Sequence, residues 1–403
     1  QVYREIRNQA KPPESLFGVY LADVKLFSQA FVTRGQQPQP FLEQIVTSID
    51  PEGRIKKFDR TNFVGRRRQL QNCLKALKID QDKVGVILHG MGGLGKSSIA
   101  SRIIRDRLPG YKDETLSEWA RGREPLSSSK LLEKLSEYLD EQGDGDLRQY
   151  LNGQNLQEDL TKLFRQLSKR GKLLLLILDD FEWNLEPEGR KYRILAEPAN
   201  VLKSLVNAIL RSRTKHKIII TCRYDQFDTE GTLDLFYSQG LDQLSGADLE
   251  KKLRKLKNFS SDRISSEVRQ KALDIAQGNP RLLEDLDKDV LSLYDNEAIC
   301  KKLMEYETNP DKWKDRVIWP RLYEQIDEPL RKVLSYGLIY RIPVTRAILR
   351  IVCEDEDGEE IQRGIDLSLI EESSDLEEFD RLYRISPILS HILESIKLPE
   401  DEN

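Results

Sequence analysis

A glycine-rich stretch between an apolar run and a helical segment constrains the fold of this chain more than any other feature. Residues 84–88 (V-G-V-I-L) predict a buried strand, and residues 99–108 have the apolar spacing of a helix. Residues 90–97 between them are G-M-G-G-L-G-K-S, which has the form G-x-x-x-x-G-K-S. This loop between a strand and a helix is typical of a phosphate-binding loop. We therefore expect an α/β fold with a parallel sheet that binds a nucleotide.

The residue types of the loop suit a polyphosphate. Glycines let backbone N–H groups turn inward, Lys96 brings a point charge to the β- and γ-phosphates, and the Ser97 hydroxyl can bind Mg²⁺. The alternative is a glycine-rich turn that only caps the helix, which the flanking strand and helix disfavour. The expected nucleotide-binding residues of the loop are Gly90, Met91, Gly92, Gly93, Leu94, Gly95, Lys96, Ser97 and Ser98.

A second apolar run ends in acidic residues. Residues 173–178 predict a strand that is buried on both faces, and Asp179 and Asp180 follow it directly. Carboxylates at the C-terminal end of a parallel strand lie where such a sheet binds its ligands, close to the magnesium ion and the attacking water of phosphoryl transfer. The alternative is an acidic cap or turn after a core strand.

Further strands and helices alternate along the chain, which predicts a doubly wound parallel sheet. Residues 217–224 predict a strand that ends in a hydroxyl and in Arg223, whose guanidinium matches phosphate oxygens but could instead form a surface ion pair. Ser245 to Asp248 has the pattern of a capping box for a helix over residues 249–256. Other strands are expected at residues 116–120 and 241–244, and helices at 66–77, 126–139, 156–167 and 198–211.

The pattern divides the chain into four parts. We expect an upstream tail and linker over residues 1–57, a nucleotide-binding domain over 58–245, a small helical domain over 246–311 and a winged-helix domain over 312–403. In the helical domain, helices are expected at residues 268–276 and 279–286. In the last part, helices are expected at residues 313–326, 329–336, 344–352, 361–369 and 387–396, with strands at 369–373 and 381–385.

Composition excludes several function classes. The net charge of −4, with 33% charged residues, predicts no general attraction to nucleic acid or to an anionic membrane. The four cysteines are far apart and form no C-x-x-C, which favours free thiols in a reducing cytoplasm. The longest apolar run has six residues and is too short to cross a bilayer.

The motifs and their order resemble those of the NB-ARC-type STAND ATPases, which are signal-transduction switches. The resemblance covers about residues 58–398. Its landmarks are F-V-G-R at 63–66, the phosphate loop, L-D-D at 178–180, T-C-R at 221–223 and G-N-P at 278–280. D-F-E at 180–182 is similar to cyanobacterial members that carry an N-terminal CHAT-like domain, so residues 1–35 are expected to be the end of such a domain.

This resemblance implies a switch that binds ADP in a closed monomer and ATP with Mg²⁺ in an open form that self-associates through its nucleotide-binding domains. It implies slow ATP hydrolysis, with further effector and sensor domains outside this sequence. The implied adenine-side residues are Phe63, Val64, Gly65, Arg66 and Pro280; the implied magnesium ligands are Ser97 and Asp179; the implied catalytic residues are Lys96, Asp180 and Arg223. Glu182 is the alternative to Asp180 for orienting the water.

One position departs from the resembled family. Where its winged helix usually has a histidine that contacts phosphate, this chain has Ser386. The serine could simply cap the helix that follows, or its hydroxyl or the N–H groups of that helix could contact the β-phosphate of ADP.

Three other functions remain as alternatives. A DNA-handling ATPase also combines a nucleotide-binding domain with a winged helix, but the expected recognition helix has Arg363 as its single basic residue, between acidic flanks. A small-molecule kinase would use the C-terminal length for an acceptor pocket. A nucleotide-binding scaffold without hydrolysis would keep the phosphate loop and lack a positioned water.

Overall fold

In the computed structural model the described residues are 63–78, 82–106, 111–116, 125–188, 191–224, 227, 231–293, 296–309, 326–340, 342–372, 381–386, 388–389 and 393. The expectations for residues 1–57 and for the helix at 313–326 lie outside them, as does most of the expected helix at 387–396.

A parallel sheet is the centre of the N-terminal part. In chain order, the strands of the described region up to residue 240 are β1 (Gly85–His89), β2 (Tyr111–Leu116), β3 (Leu173–Leu178), β4 (Leu185–Glu188), β5 (Lys191–Ile194), β6 (Lys217–Thr221) and β7 (Phe236–Gly240). Five of these form one sheet in the order β2-β3-β6-β1-β7, and every neighbouring pair is parallel. The expected α/β fold is confirmed.

The central strands form where the sequence is continuously apolar. The residues of β6 are buried throughout, and those of β3 are buried from its second residue onward. Helices cover both faces of a parallel sheet, so its inner strands have no polar face. The helices that flank this sheet are α1 (Arg67–Lys78), α2 (Lys96–Asp106), α3 (Ser128–Glu141), α4 (Leu156–Lys169) and α5 (Ala196–Ser212).

The two edge strands do not lie where the sequence predicted them. The strand expected at 116–120 shares Leu116 with β2, and its other residues lie outside the described part of the chain. β7 ends at Gly240, so the strand expected at 241–244 is wrong. Both edge strands contain polar residues, with the sequences Y-K-D-E-T-L and F-Y-S-Q-G. Leu241 and Leu244, which follow β7, were mistaken for a strand.

A small antiparallel hairpin was not expected. β4 and β5 pair from Leu185 with Ile194 to Glu188 with Lys191. The hairpin directly follows the Asp-Asp turn and precedes α5, so it lies beside the acidic end of β3.

The chain continues as helices after the sheet. These are α6 (Gly246–Leu253), α7 (Ser266–Ala276), α8 (Pro280–Asp285) and α9 (Asn296–Thr308), with a π-helical turn at Leu286–Val290. The capping box predicted for α6 is wrong, because the Ser245 side chain makes no cap hydrogen bond. Asp248 instead accepts a hydrogen bond from the backbone N–H of Arg66 at 3.1 Å.

The C-terminal part combines helices with a three-stranded sheet. Its described elements are α10 (Glu328–Gly337), β8 (Val344–Thr345), α11 (Arg346–Val352), α12 (Glu359–Asp366), β9 (Ile370–Glu372) and β10 (Leu382–Ile385). β10 lies between β8 and β9 and is antiparallel to both. The helix expected to begin at Val344 begins at Arg346, because the two residues before it pair with β10. No helix of the described residues is long and apolar enough to span a membrane.

Candidate functional site

The phosphate loop joins β1 to the first turn of α2. Gly90 has a φ of 131°, and a Cβ atom there would lie 2.6 Å from the carbonyl oxygen of Leu241. Only glycine fits this close approach between the loop and the end of β7. The loop is therefore held in shape by the sheet as well as by its own sequence.

Lys96 is buried beneath this loop. Its Nζ donates hydrogen bonds to the carbonyl oxygens of Gly90 at 2.7 Å and Met91 at 3.0 Å. Burial lowers the pKa of Lys96, while the charges of Glu182 and Asp180 raise it. The ammonium group is thus held at the start of the loop by two backbone carbonyl oxygens. Phosphate oxygens could take the place of these two acceptors.

Ser97 and Asp179 are brought together as expected. The Ser97 hydroxyl donates to Asp179 Oδ1 at 2.8 Å, and the Thr221 hydroxyl donates to the same oxygen at 2.6 Å. Burial and the charge of Asp180 raise the pKa of Asp179 to about 7, although both hydrogen bonds act to lower it. A hydroxyl and a carboxylate at this spacing are oxygen donors of the kind that Mg²⁺ binds.

The sheet order explains this meeting. β6 lies between β1 and β3, so its last residue, Thr221, stands between the phosphate loop and the acidic turn. The Asp180 backbone N–H donates to the Thr221 hydroxyl at 2.9 Å, and Asp180 itself adopts a φ of 51°. The turn after β3 is therefore attached to the neighbouring strand.

Arg223 is bound by a carboxylate. Its Nε donates to Glu182 Oε1 at 2.9 Å, and the Glu182 side chain is only 3% exposed. Burial, and then the charge of Asp180, raises the pKa of Glu182, whereas Arg223 and Lys96 lower it. The other oxygen, Oε2, has no hydrogen-bond partner among the described residues. The sequence left open a surface ion pair of Arg223, whereas its partner Glu182 is buried.

The F-V-G-R turn connects the loop to the segment after β7. Arg66 Nη2 donates to the carbonyl oxygens of Leu94, at 3.3 Å, and of Asp242. Burial lowers the pKa of Arg66, and nearby acidic charges, Asp242 first, raise it. Gly65 has a φ of 71° and contacts Asp248 closely. Val64 is half-buried, and the half-buried Phe63 ring lies 5.8 Å from the Arg102 guanidinium carbon.

The G-N-P turn lies directly against the phosphate loop. The Asn279 amide, which is fully buried, donates to the carbonyl oxygen of Gly92 at 3.0 Å. The Gly278 carbonyl oxygen accepts from the Leu244 N–H at 2.9 Å. Pro280 begins α8 at this contact and is half-buried. Pro280 was predicted to lie at the site and Asn279 was not, although asparagine before a helical proline is a visible capping signal.

Ser386 is fully buried at the end of β10. Its hydroxyl accepts a hydrogen bond from Gln243 Nε2 at 3.4 Å, and its backbone N–H donates to Leu369 O at 2.9 Å. Gln243 follows the Asp242 carbonyl that binds Arg66. The C-terminal part therefore contacts the segment after β7, near the F-V-G-R turn.

The remaining residues expected to bind nucleotide lie within the loop. Met91 and Leu94 are buried in the core, and Gly93 and Gly95 have φ values of 79° and 94°. Ser98 is half-buried in the first turn of α2. The loop thus presents its backbone and keeps its apolar side chains inward.

Comparison with known proteins agrees with this geometry. Residues 62–207 match a family model described as an AAA ATPase domain. The segment that contains the phosphate loop is therefore similar to AAA ATPase domains. The match begins at the F-V-G-R turn and includes the phosphate loop and the acidic end of β3. No curated protein matches the chain.

Solved structures resemble the chain at low sequence identity. The Walker-type ATPase of Pyrococcus abyssi is 14% identical, with 83% of this chain and 97% of that chain covered and a TM-score of 0.54, which shows the fold alone. The STAND protein with a tetratricopeptide repeat sensor from Pyrococcus horikoshii is 16% identical. The match covers 84% of this chain and 43% of that protein, with a TM-score of 0.36. The ORC2 protein from Aeropyrum pernix is 13% identical. The match covers 83% of this chain and 94% of that protein, with a TM-score of 0.46.

Proposed function

We propose that this chain is a nucleotide-operated signalling switch of the STAND type, closed with ADP and open with ATP and Mg²⁺. The observation that carries the proposal is that the segments after the sheet contact the phosphate loop and its surroundings. Asn279 binds Gly92, Arg66 links Leu94 to Asp242, and Gln243 contacts Ser386. A nucleotide in the loop would therefore interact with three parts of the chain together.

The charged residues of the site have distinct proposed roles. Lys96 would leave the two carbonyl oxygens and bind the β- and γ-phosphates. An ammonium group binds a charged phosphate more strongly than it binds a neutral carbonyl oxygen. Ser97 and Asp179 would hold Mg²⁺, which neutralises phosphate charge when it is bound. Asp180, which is half-buried, would orient the attacking water.

Arg223 would contact the terminal phosphate of ATP. An arginine has five N–H donors, and the one at Nε is bound to the buried Glu182, which would fix the direction in which the guanidinium points. Glu182 remains the alternative for orienting the water.

We further propose four parts for the chain: an upstream tail and linker at residues 1–57, the nucleotide-binding domain at 58–245, a helical domain at 246–311 and a winged-helix domain at 312–403. Self-association would occur through the nucleotide-binding domains in the ATP form, with further effector and sensor domains outside this sequence, in the cytoplasm and without nucleic acid. Helices α10 to α12 with the sheet β8-β10-β9 support the winged-helix assignment.

The alternative of a DNA-handling ATPase has less support. Arg363, the basic residue of the expected recognition helix, is buried and donates to Asp327 Oδ1 at 2.7 Å and to Glu360 Oε2 at 3.2 Å. A guanidinium that is occupied in this way cannot also neutralise a phosphate without breaking these ion pairs.

The proposal is tested by the nucleotide that copurifies with the protein and by Lys96→Ala. We expect ADP to be released on denaturation. Loss of the charge should weaken ADP binding roughly tenfold to a hundredfold in calorimetry, as for a hydrogen bond to a charged group. Lys134→Ala, which removes a surface ion pair with Glu137, is the control. Unchanged ADP affinity in Lys96→Ala would refute a role for the loop in binding.

A further inference from the structure

The side chain of Asn279 uses both ends of its amide. Oδ1 accepts hydrogen bonds from the backbone N–H groups of Arg281 at 3.0 Å and Leu282 at 3.2 Å, which caps α8. Nδ2 donates to the Gly92 carbonyl oxygen at 3.0 Å. One residue of the helical segment thus holds its own helix and the phosphate loop.

The orientation of this amide is determined by its surroundings. The two groups on one side are N–H donors, so they need the amide oxygen, and the group on the other side is a carbonyl, which needs the amide nitrogen. Rotation of the amide by 180° would break all three hydrogen bonds. Since Asn279 is fully buried, no water replaces them from bulk solvent.

The hydrogen bond from Asn279 to the Gly92 carbonyl oxygen also orients the N–H of Gly93, which belongs to the same peptide group. No peptide bond of the described residues is cis, and in a trans peptide the C=O and N–H groups point in opposite directions. The Gly92 carbonyl points to Asn279, so the N–H of Gly93 points away from the helical segment. The contact is tight, because a Cβ atom on Gly93 would lie 2.7 Å from Asn279 Oδ1 and 2.8 Å from Arg281 Cβ.

We propose that Asn279 is a positioning residue for nucleotide binding, which fixes the Gly92–Gly93 peptide so that the Gly93 N–H is presented to the phosphates. The inference rests on the proposed nucleotide-binding function and extends it. Because the donor belongs to the segment after the sheet, phosphate in the loop and docking of this segment stabilise each other. Such coupling is reciprocal by thermodynamic linkage.

Two substitutions separate the donor from the helix cap. Asn279→Asp keeps the acceptor that caps α8 and places an oxygen against the Gly92 carbonyl, whereas Asn279→Ser keeps a good capping residue that is too short to reach it. We expect ADP affinity to fall about three- to tenfold in Asn279→Ser, as for one neutral hydrogen bond, and further in Asn279→Asp. Asn155→Ser is the control, because Asn155 caps α4 through the Glu158 N–H without contacting the loop.

Inorganic pyrophosphate is the second probe. It occupies the loop without an adenine, so its affinity should fall in Asn279→Ser by the same factor as that of ADP. A loss for ADP with unchanged pyrophosphate affinity would place the effect at the adenine side and overturn the proposal.

If wild-type protein binds neither ADP nor pyrophosphate, the proposed function fails; if Lys96→Ala loses binding and Asn279→Ser does not, only this inference fails.

Discussion

Asp180 and Glu182 lie two residues apart after β3, yet their environments differ. Asp180 is half-buried, and its backbone is bound to the Thr221 hydroxyl. Glu182 is buried, with one oxygen bound to Arg223, and burial raises its pKa. An attacking water needs a carboxylate that it can reach, which favours Asp180 over Glu182.

Substitution of the two carboxylates tests this assignment. Asp180→Asn keeps the shape of the side chain and should bind ATP but hydrolyse it at least about tenfold more slowly, as for loss of a catalytic base. Glu182→Gln removes the negative charge that pairs with Arg223 but keeps an acceptor, and it should leave turnover at or above the wild-type rate. Single-turnover hydrolysis of ATP measures both. Wild-type rates in Asp180→Asn together with a slow Glu182→Gln would transfer the role to Glu182.

His216 makes folding sensitive to pH. Its Nδ1 accepts from the Leu174 N–H at 2.8 Å and its Nε2 lies 2.9 Å from the Phe164 carbonyl, so the ring is neutral and links β3 to α4. Burial lowers the pKa of His216 to about 4. The unfolded chain then binds a proton that the folded chain does not, between the normal pKa of histidine and about 4.

This stabilisation is complete above the normal histidine pKa and is lost as the pH falls toward 4. From pH 7.5 to pH 5 we expect the free energy of unfolding to fall by about 2 kcal/mol through His216. Denaturant unfolding at both pH values measures the difference. His216→Gln should remove the contribution of His216 to the pH dependence of the free energy of unfolding. The contribution of His89, whose pKa burial also lowers to about 4, should remain. An unchanged pH dependence in His216→Gln would contradict the assignment.

At the scale of elements, continuous apolar runs were predictable and edges were not. The strands at β1, β3 and β6 lie where their apolar residues placed them, because an inner strand of a parallel sheet must be apolar on both faces. β2 and β7 are polar in sequence and exist through pairing with a neighbour. The local sequence of such a strand does not show which other strand it will pair with.

The candidate site follows the same rule. Ser97 and Asp179 were predictable because each follows a recognisable local pattern, and the fold brings them together. Asn279 and the pair of Glu182 and Arg223 were not predicted as contacts, since they depend on elements far apart in the chain. Local chemistry was visible in the sequence, and long-range partners were not.

The hydrogen bond between Gln243 and Ser386 joins the segment after β7 to the end of β10. Ser386→Ala removes the acceptor of Gln243 Nε2, whose Oε1 already has no hydrogen-bond partner among the described residues. We expect ADP affinity to fall by about tenfold at most, as for one neutral hydrogen bond, while ATP affinity barely changes. Calorimetry with both nucleotides measures this. Equal losses for ADP and ATP would show that Ser386 has only a structural role.

At the scale of the whole molecule, the contacts made by Arg66, Asn279 and Ser386 connect three stretches of chain around one loop. A ligand that binds between such stretches stabilises only the arrangement in which they are together. A nucleotide bound in the loop should therefore stabilise the folded chain.

We predict that the protein with ADP is a monomer of increased thermal stability. Free ADP at a hundred times its Kd should add about 2.7 kcal/mol to the free energy of unfolding, since ADP binds the folded state alone. Lys96→Ala at the same ADP concentration should gain less, in proportion to its lost affinity. Asp180→Asn with ATP and Mg²⁺ should hydrolyse its nucleotide more slowly than the wild type and form a species of higher mass. Light scattering decides the outcome, because a stable oligomer with ADP, or a monomer under both conditions, would contradict a switch in which ATP permits self-association.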